Sequence, residues 1–212
     1  MADKRKGTFI VFEGIDGTGK STQIDRLADV LRLLGHEVIE TREPTEGIYG
    51  RQIRALYQNR HTVSADEELD LFIKDRRDHI DKLIIPSLAA AKIVLCDRYY
   101  LSTAAYQGAA GCNPDEILAR HDFAPEPDLA IIIEVDPRTC ITRITEKRGD
   151  LLNDFEQLES LKKVDSIFKE MDLPYIERID GSASEEQVHQ QVVRLIDRLL
   201  PHLTLSDTPE PL

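Results

Sequence analysis

The segment Phe12–Thr22, FEGIDGTGKST, sets Gly14, Gly19, Lys20 and Ser21 at the spacing G-x-x-x-x-G-K-[ST]. That spacing suits phosphate. Glycines let the chain turn until its backbone N–H groups point inward at anionic oxygens, and the start of a following helix adds a favourable field. The loop residues Gly14, Ile15, Asp16, Gly17, Thr18, Gly19, Lys20, Ser21 and Thr22 are therefore expected to cradle a nucleoside triphosphate. Lys20 would reach the β- and γ-phosphates, and the Ser21 hydroxyl would hold Mg²⁺. The alternative is a chance glycine turn, which the apolar run before the motif and the helical repeat after it argue against.

A triphosphate site leaves the acceptor open. IVLCD ends an apolar run in Asp97, the form expected of a second magnesium-organising carboxylate, although such an aspartate can also simply cap a turn. DRYYLSTAAYQG follows, with Arg98, Ser102, Thr103, Tyr106 and Gln107 just past a strand end, where open α/β sheets bind ligands. Arginine suits a phosphate, tyrosine a sugar or base, and a hydroxyl or amide the edge of a base. The plainer reading is a solvent-facing helix start with half-packed tyrosines. Phe72 and Arg76 are four apart and share a helix face. Arg76 points along the side that Leu69 and Ile73 bury, which is costly unless something polar meets it. Phe72 can stack on a planar ring while Arg76 donates to its carbonyl. The alternative is a core phenylalanine beside an arginine snorkelling at the edge of the stripe.

Five apolar runs are expected to form the strands that position these groups: GTFIVFEG, EVIETREP, KIVLCDRYY, DLAIIIEVD and PYIERIDG. Between them run helical patterns. One passes through Ile24, Leu27, Ala28, Leu31 and Leu34 and stops at Gly35. A short one includes Ile53 and Leu56. A long one starts at the capping box of Ser64 and Glu67 and is kinked near Pro86. Another is opened by Pro137, and the last includes Val188, Val192, Leu195, Ile196 and Leu199. The fold class is α/β, a five-stranded parallel sheet flanked by helices on both faces. Residues 1–200 read as a single domain, and residues 201–212 as a frayed tail.

Forty-one percent apolar and 31% charged residues describe a globular chain. A formal charge of −12 speaks against a nucleic acid polymer as partner. No apolar run is long enough to span a bilayer, so no membrane partner is expected. The 3 cysteines are far apart and the 6 histidines form no close pair, so neither a disulfide framework nor a zinc site is indicated. A reducing, cytoplasmic location fits best.

With FEGIDGTGKST, TREP, FIKDRRDH, DRYYLSTAAYQG and PDLAIIIEVDP in this order, the chain resembles the thymidylate kinases, P-loop NTPases of the nucleoside monophosphate kinase family. The resemblance runs over about residues 8–200. It implies an enzyme that phosphorylates thymidine monophosphate (dTMP) to the diphosphate with ATP and Mg²⁺, and commonly a homodimer. It implies that Asp16 contacts the 3′-hydroxyl side of the acceptor sugar and that Arg98 grips the acceptor phosphate, with Asp97 beside it organising the metal. Phe72 and Arg76 match a ring-stacking and carbonyl-reading pair, Thr103 and Gln107 lie at the base edge, and Tyr106 lies beneath the deoxyribose. Arg42 would face the acceptor phosphate. Catalysis would fall to Lys20, Arg98, Asp16, Arg143 and Arg148.

Two departures from the family matter. REPTEGIYG stands where many bacterial relatives continue REP with a glycine pair and threonine, which weakens any claim for Glu43 or Arg54. Gly17 stands where some members carry an arginine, so the transition-state cation is expected from a small lid at about 138–152, which offers Arg143, Lys147 and Arg148. The readings in competition are a deoxynucleoside kinase, against which Arg42, Arg76 and Arg98 lean, and a regulatory ATPase with the same loop.

Overall fold

The computed structural model describes residues 7–58, 62–148 and 155–203, apart from the side chains of residues 58, 147 and 148. Five strands, β1 (Thr8–Glu13), β2 (Val38–Arg42), β3 (Ile93–Asp97), β4 (Leu129–Glu134) and β5 (Ile176–Asp180), form one sheet in the order β2-β3-β1-β4-β5. All four pairings are parallel. Every residue of β1 is buried, so both faces of the sheet are covered, as a parallel sheet requires. Phe12 pairs with Asp97 and Asp97 with Arg42, so three strands end level and deliver their last residues to one edge. The strand order reverses there, since β1 continues towards β2 on one side and β4 towards β5 on the other.

The helices are α1 (Lys20–Leu33), α2 (Ile48–Ala55), α3 (Ala65–His79), α4 (Ile85–Ala89), α5 (Tyr100–Ala109), α6 (Pro114–Ala119), α7 (Pro137–Arg148), α8 (Leu158–Glu170) and α9 (Glu185–Leu199). The capping box expected at Ser64 is present. The serine side chain accepts from the Glu67 N–H, and the Glu67 carboxylate reaches back to the Ser64 N–H at 2.8 Å. The kink expected at Pro86 takes the form of a π turn, Ile80–Ile84, just ahead of it. The short helix α6 and the longer α8 are additions to the sequence reading. α6 has few apolar positions, whereas α8 carries Leu158, Leu161, Val164, Ile167 and Phe168 at helical spacing and buries Leu161, Val164 and Phe168.

Two boundaries differ from the sequence reading. KIVLCDRYY reads as a strand throughout, but β3 ends at Asp97 because Arg98 turns into the left-handed region at φ 71°. Residues 201–203, expected to belong to the frayed tail, form a short 3₁₀ turn instead. Leu203 is buried and His202 is bonded to the Thr8 hydroxyl at 3.0 Å. Residues 204–212 lie outside the described residues, as do residues 149–152 of the expected lid.

Candidate active site

The phosphate loop sits where β1 runs into α1. Two of its glycines are there for space as well as conformation. Gly14 (φ +124°) and Gly17 (φ +85°) press against neighbouring backbone, so a Cβ would come within 2.6 Å of the Ile133 carbonyl oxygen and 2.6 Å of the Cys140 carbonyl oxygen, respectively. Lys20 is buried, and its ammonium donates to the carbonyls of Gly14 (3.1 Å) and Ile15 (2.9 Å). Burial, and then the nearby Arg98, lower its pKa. Two bonds to loop carbonyls hold the charge at the cradle, where phosphate oxygens can replace them. The Ser21 hydroxyl donates to Asp97 Oδ2 at 2.6 Å. A hydroxyl and a carboxylate at that distance form an all-oxygen donor set that fits Mg²⁺, which takes one or two protein oxygens and completes its shell with phosphate and water.

Arg98 forms the hub opposite the loop. Its strained backbone donates to the Phe12 carbonyl at 2.9 Å, which swings the side chain across the end of β1. One amino group donates to Asp16 Oδ1 (2.8 Å) and the Tyr106 hydroxyl (3.1 Å), the other to the Gly14 carbonyl (3.2 Å) and Ser102 Oγ (2.9 Å). The Tyr106 hydroxyl in turn donates to Asp16 Oδ2 at 3.1 Å. Burial opposes ionisation of Asp16, but Arg98 and then Lys20 outweigh it and hold the carboxyl well below the usual range.

Beneath this hub lies a residue outside the expected set. Glu13 is fully buried at the end of β1 and receives the N–H groups of Tyr99 (2.9 Å) and Ser102 (3.2 Å), together with the Ser102 hydroxyl. Burial pushes its pKa up to about 7, against those hydrogen bonds and Arg98. Glu13, Ser102, Arg98 and Asp16 therefore form one chain of contacts. The sequence did hold a signal for it, a carboxylate at the end of an otherwise apolar central strand.

The far wall comes from α3 and α5. Arg76 is 1% exposed. It donates through Nε (2.8 Å) and Nη2 (2.5 Å) to Glu43 Oε2, through Nη1 to His121 Nε2 (2.5 Å), and through Nη2 to Thr103 Oγ1 (2.9 Å). His121 Nδ1 stands 2.7 Å from the Ile117 carbonyl, which can only accept, so Nδ1 carries the proton and Nε2 is free to accept from Arg76. Burial and then Arg76 push the His121 pKa down to about 4, so it faces the arginine as a neutral acceptor. Glu43 Oε1 receives His79 Nδ1 at 2.9 Å, and His79 Nε2 meets the Thr41 hydroxyl at 2.7 Å. Burial opposes ionisation of Glu43, but Arg76 and His79 keep its pKa lowered. The altered REPTEG loop had given no firm ground for Glu43, yet it is the counter-charge that lets Arg76 be buried.

Loop and wall face each other across one cleft of about 790 Å³. Asp16, Gly17, Thr18, Gly19, Lys20, Ser21, Thr22, Arg42, Phe72, Arg76, Asp97, Arg98, Thr103, Tyr106 and Gln107 all line it, as does Arg143. Gly14 and Ile15 stand behind the loop and contribute the carbonyls that hold Lys20. Arg54 reaches the cleft while bonded to the Pro44 carbonyl (3.1 Å) and to Glu46 (2.7 Å). Arg143, on α7, donates twice to the Gly181 carbonyl at 3.2 Å. The side chain of Arg148 lies outside the described residues.

Comparison with known proteins identifies the family. The thymidylate kinase family profile matches residues 12–192. A thymidylate kinase of Desulfotalea psychrophila is 51% identical over 194 residues, covering 92% of this chain and 96% of its own. Thymidylate kinases of Xanthomonas euvesicatoria and Xanthomonas oryzae are 44% and 42% identical, covering 92% and 97% of this chain and 88% and 92% of theirs. On this match over most of its length, the chain belongs to the thymidylate kinase family.

Proposed function

We propose that this enzyme transfers the γ-phosphoryl group of ATP to dTMP, yielding dTDP and ADP. The observation that carries the reading is that a single cleft holds both the phosphate loop and the Phe72–Arg76–Arg98–Tyr106 wall. A hydrolase needs only the first.

The chemistry asks little covalent work of the protein, because the acceptor is itself an anion. A phosphate monoester has its second pKa near 6, so near neutrality it attacks without a general base. Positioning and charge are what remain. Lys20 follows the β- and γ-phosphates. Arg98, already aimed by Asp16 and Ser102, exchanges some of those contacts for acceptor phosphate oxygens, with Arg42 at the outer edge. Asp16 keeps the ionised form needed to accept from a sugar hydroxyl. Phe72 offers a stacking face, Tyr106 lies under the sugar, and Arg76, Thr103 and Gln107 read the base edge. Arg143, and Arg148 after it, supply cations from the lid side. Ser21 and Asp97 would hold Mg²⁺, whose positive charge would offset the charge developing on the transferred phosphoryl group.

An ADP-release assay with dTMP, dUMP, UMP, thymidine and no acceptor tests the assignment. Turnover with dTMP well above the others is expected. Turnover with thymidine but not dTMP would make it a nucleoside kinase, and release independent of acceptor would leave an ATPase. Three free thiols agree with a reducing, cytoplasmic setting, and exposed Ile48 and Ile85 agree with a homodimer, which light scattering would report at twice 24.1 kDa.

A further inference from the structure

One turn of α5 separates Thr103 from Gln107, and both line the cleft beside Arg76. The Gln107 amide is 0% exposed. Its nitrogen donates to Glu68 Oε1 at 2.9 Å, while its oxygen has no partner among the described residues. A buried amide oxygen without a donor is costly, so the arrangement calls for a donor from outside the protein. The two ends of a glutamine amide are nearly the same size, and the neighbours decide which end goes where. A carboxylate only accepts. Glu68, 3% exposed, therefore selects the NH₂ end and turns the oxygen away from itself.

We infer that Glu68 is a specificity-determining positioning residue, which locks the Gln107 amide so that the site requires an N–H at position 3 of the pyrimidine ring. The inference rests on the dTMP assignment above. Thymine presents N3–H beside a 4-carbonyl, whereas cytosine presents a bare N3 beside a 4-amino group. Arg76 reinforces the same choice. Glu43, His121 and Thr103 occupy four of its five N–H donors and leave one. Cytosine would set an acceptor against the Gln107 oxygen and an amino donor against a guanidinium donor. Glu68, Phe72 and Arg76 follow one another at intervals of four on α3, so a single helix carries the amide lock, the stacking ring and the carbonyl donor.

The test is the ratio of kcat/KM for dTMP to that for dCMP in the wild type, Glu68→Met, Glu68→Gln, Gln107→Leu and the Glu68→Met/Gln107→Leu double variant. Glu68→Met keeps the volume and removes the acceptor. It should lower the ratio by about tenfold to a hundredfold, mainly through the KM for dTMP. Glu68→Gln, whose amide can present either end, should lower it several-fold. In the Gln107→Leu background, Glu68→Met should leave the ratio unchanged, because the two residues act as one. A ratio unchanged in both Glu68 single variants would overturn the inference. So would an equal loss with and without Gln107, which would mark Glu68 as merely structural. If Glu68→Met fails to melt cooperatively, the same cycle run with Glu68→Gln decides. A wild type that ignores dTMP would instead overturn the acceptor assignment, a result separable from any effect of Glu68.

Discussion

Arg98 concentrates much of the site in one side chain, which neutralises Asp16, hydrogen-bonds Ser102 and Tyr106, and faces the cleft. Replacing it with alanine should lower kcat/KM for dTMP by about 10²- to 10³-fold while the fold persists, read by steady-state kinetics beside circular dichroism. Retention of more than a tenth of the activity would remove Arg98 from the acceptor role. Glu13, directly behind it, should reveal itself through pH. Its pKa rises from an ordinary 4.5 to about 7 on folding, so the folded state binds the extra proton and stability falls as pH rises through that window. Glu13→Gln lacks this dependence. Relative to the wild type it should gain about 2 kcal/mol between pH 5.5 and pH 8 in urea denaturation. Parallel pH curves would show that Glu13 does not titrate in that range. Phosphate-loop residues such as Lys20 and Ser21 were legible in the sequence, because their roles follow from spacing within one loop. Glu43 and His121 were not, because each matters only through Arg76, which is 33 and 45 residues away.

At the scale of elements, the loop and α7 are fitted to each other. Gly17 lies so close to the first turns of α7 that its backbone and the Cys140 carbonyl leave no room for a side chain. An arginine placed at this position would meet the same backbone. Gly17→Ala should cost on the order of 1–3 kcal/mol from the positive φ alone, and the shifted loop should raise the KM for ATP more than that for dTMP. Thermal melting with paired KM determinations checks this, and equal changes in the two KM values would place the damage outside the loop. Strands β1 and β3 and helices α1 and α3 were readable from periodicity and caps. The switch from β3 into α5 was not, because YY continues a strand-like pattern and only the Arg98–Phe12 contact explains the turn.

For the whole molecule, the cleft departs from the average charge. The chain carries −12, yet Lys20, Arg42, Arg54, Arg76, Arg98 and Arg143 all reach one cleft. Six carboxylates, Asp16, Glu43, Glu46, Asp97, Glu156 and Glu185, line the same cleft, so cations and anions balance there within an acidic chain, which disfavours polyanions while leaving arginines placed for a small anion. The loop and α5 share the main core, and α3 packs on α5 through Leu69 and Ala104, so each substrate should stabilise the entire unit. dTMP at one hundred times its dissociation constant should contribute about 2.7 kcal/mol, which for a chain of this size raises the melting temperature by about 5–10 °C. A non-hydrolysable ATP analogue should add to that shift in a single transition. Two separate transitions would mean that the loop and the acceptor wall unfold independently.

The sequence by itself determined the phosphate cradle, the number and parallel character of the strands, the caps of the long helices and the family resemblance. These rest on local rules: glycine where the backbone must turn, alternation or helical spacing where a face is buried, and a serine three residues ahead of a glutamate. The tertiary structure alone decided the order β2-β3-β1-β4-β5 and the pairings Glu43–Arg76, Arg76–His121, Glu13–Ser102 and Glu68–Gln107. A buried charge or amide must be answered by whatever group the packed sheet and helices bring beside it, and no periodicity along the chain encodes that partner.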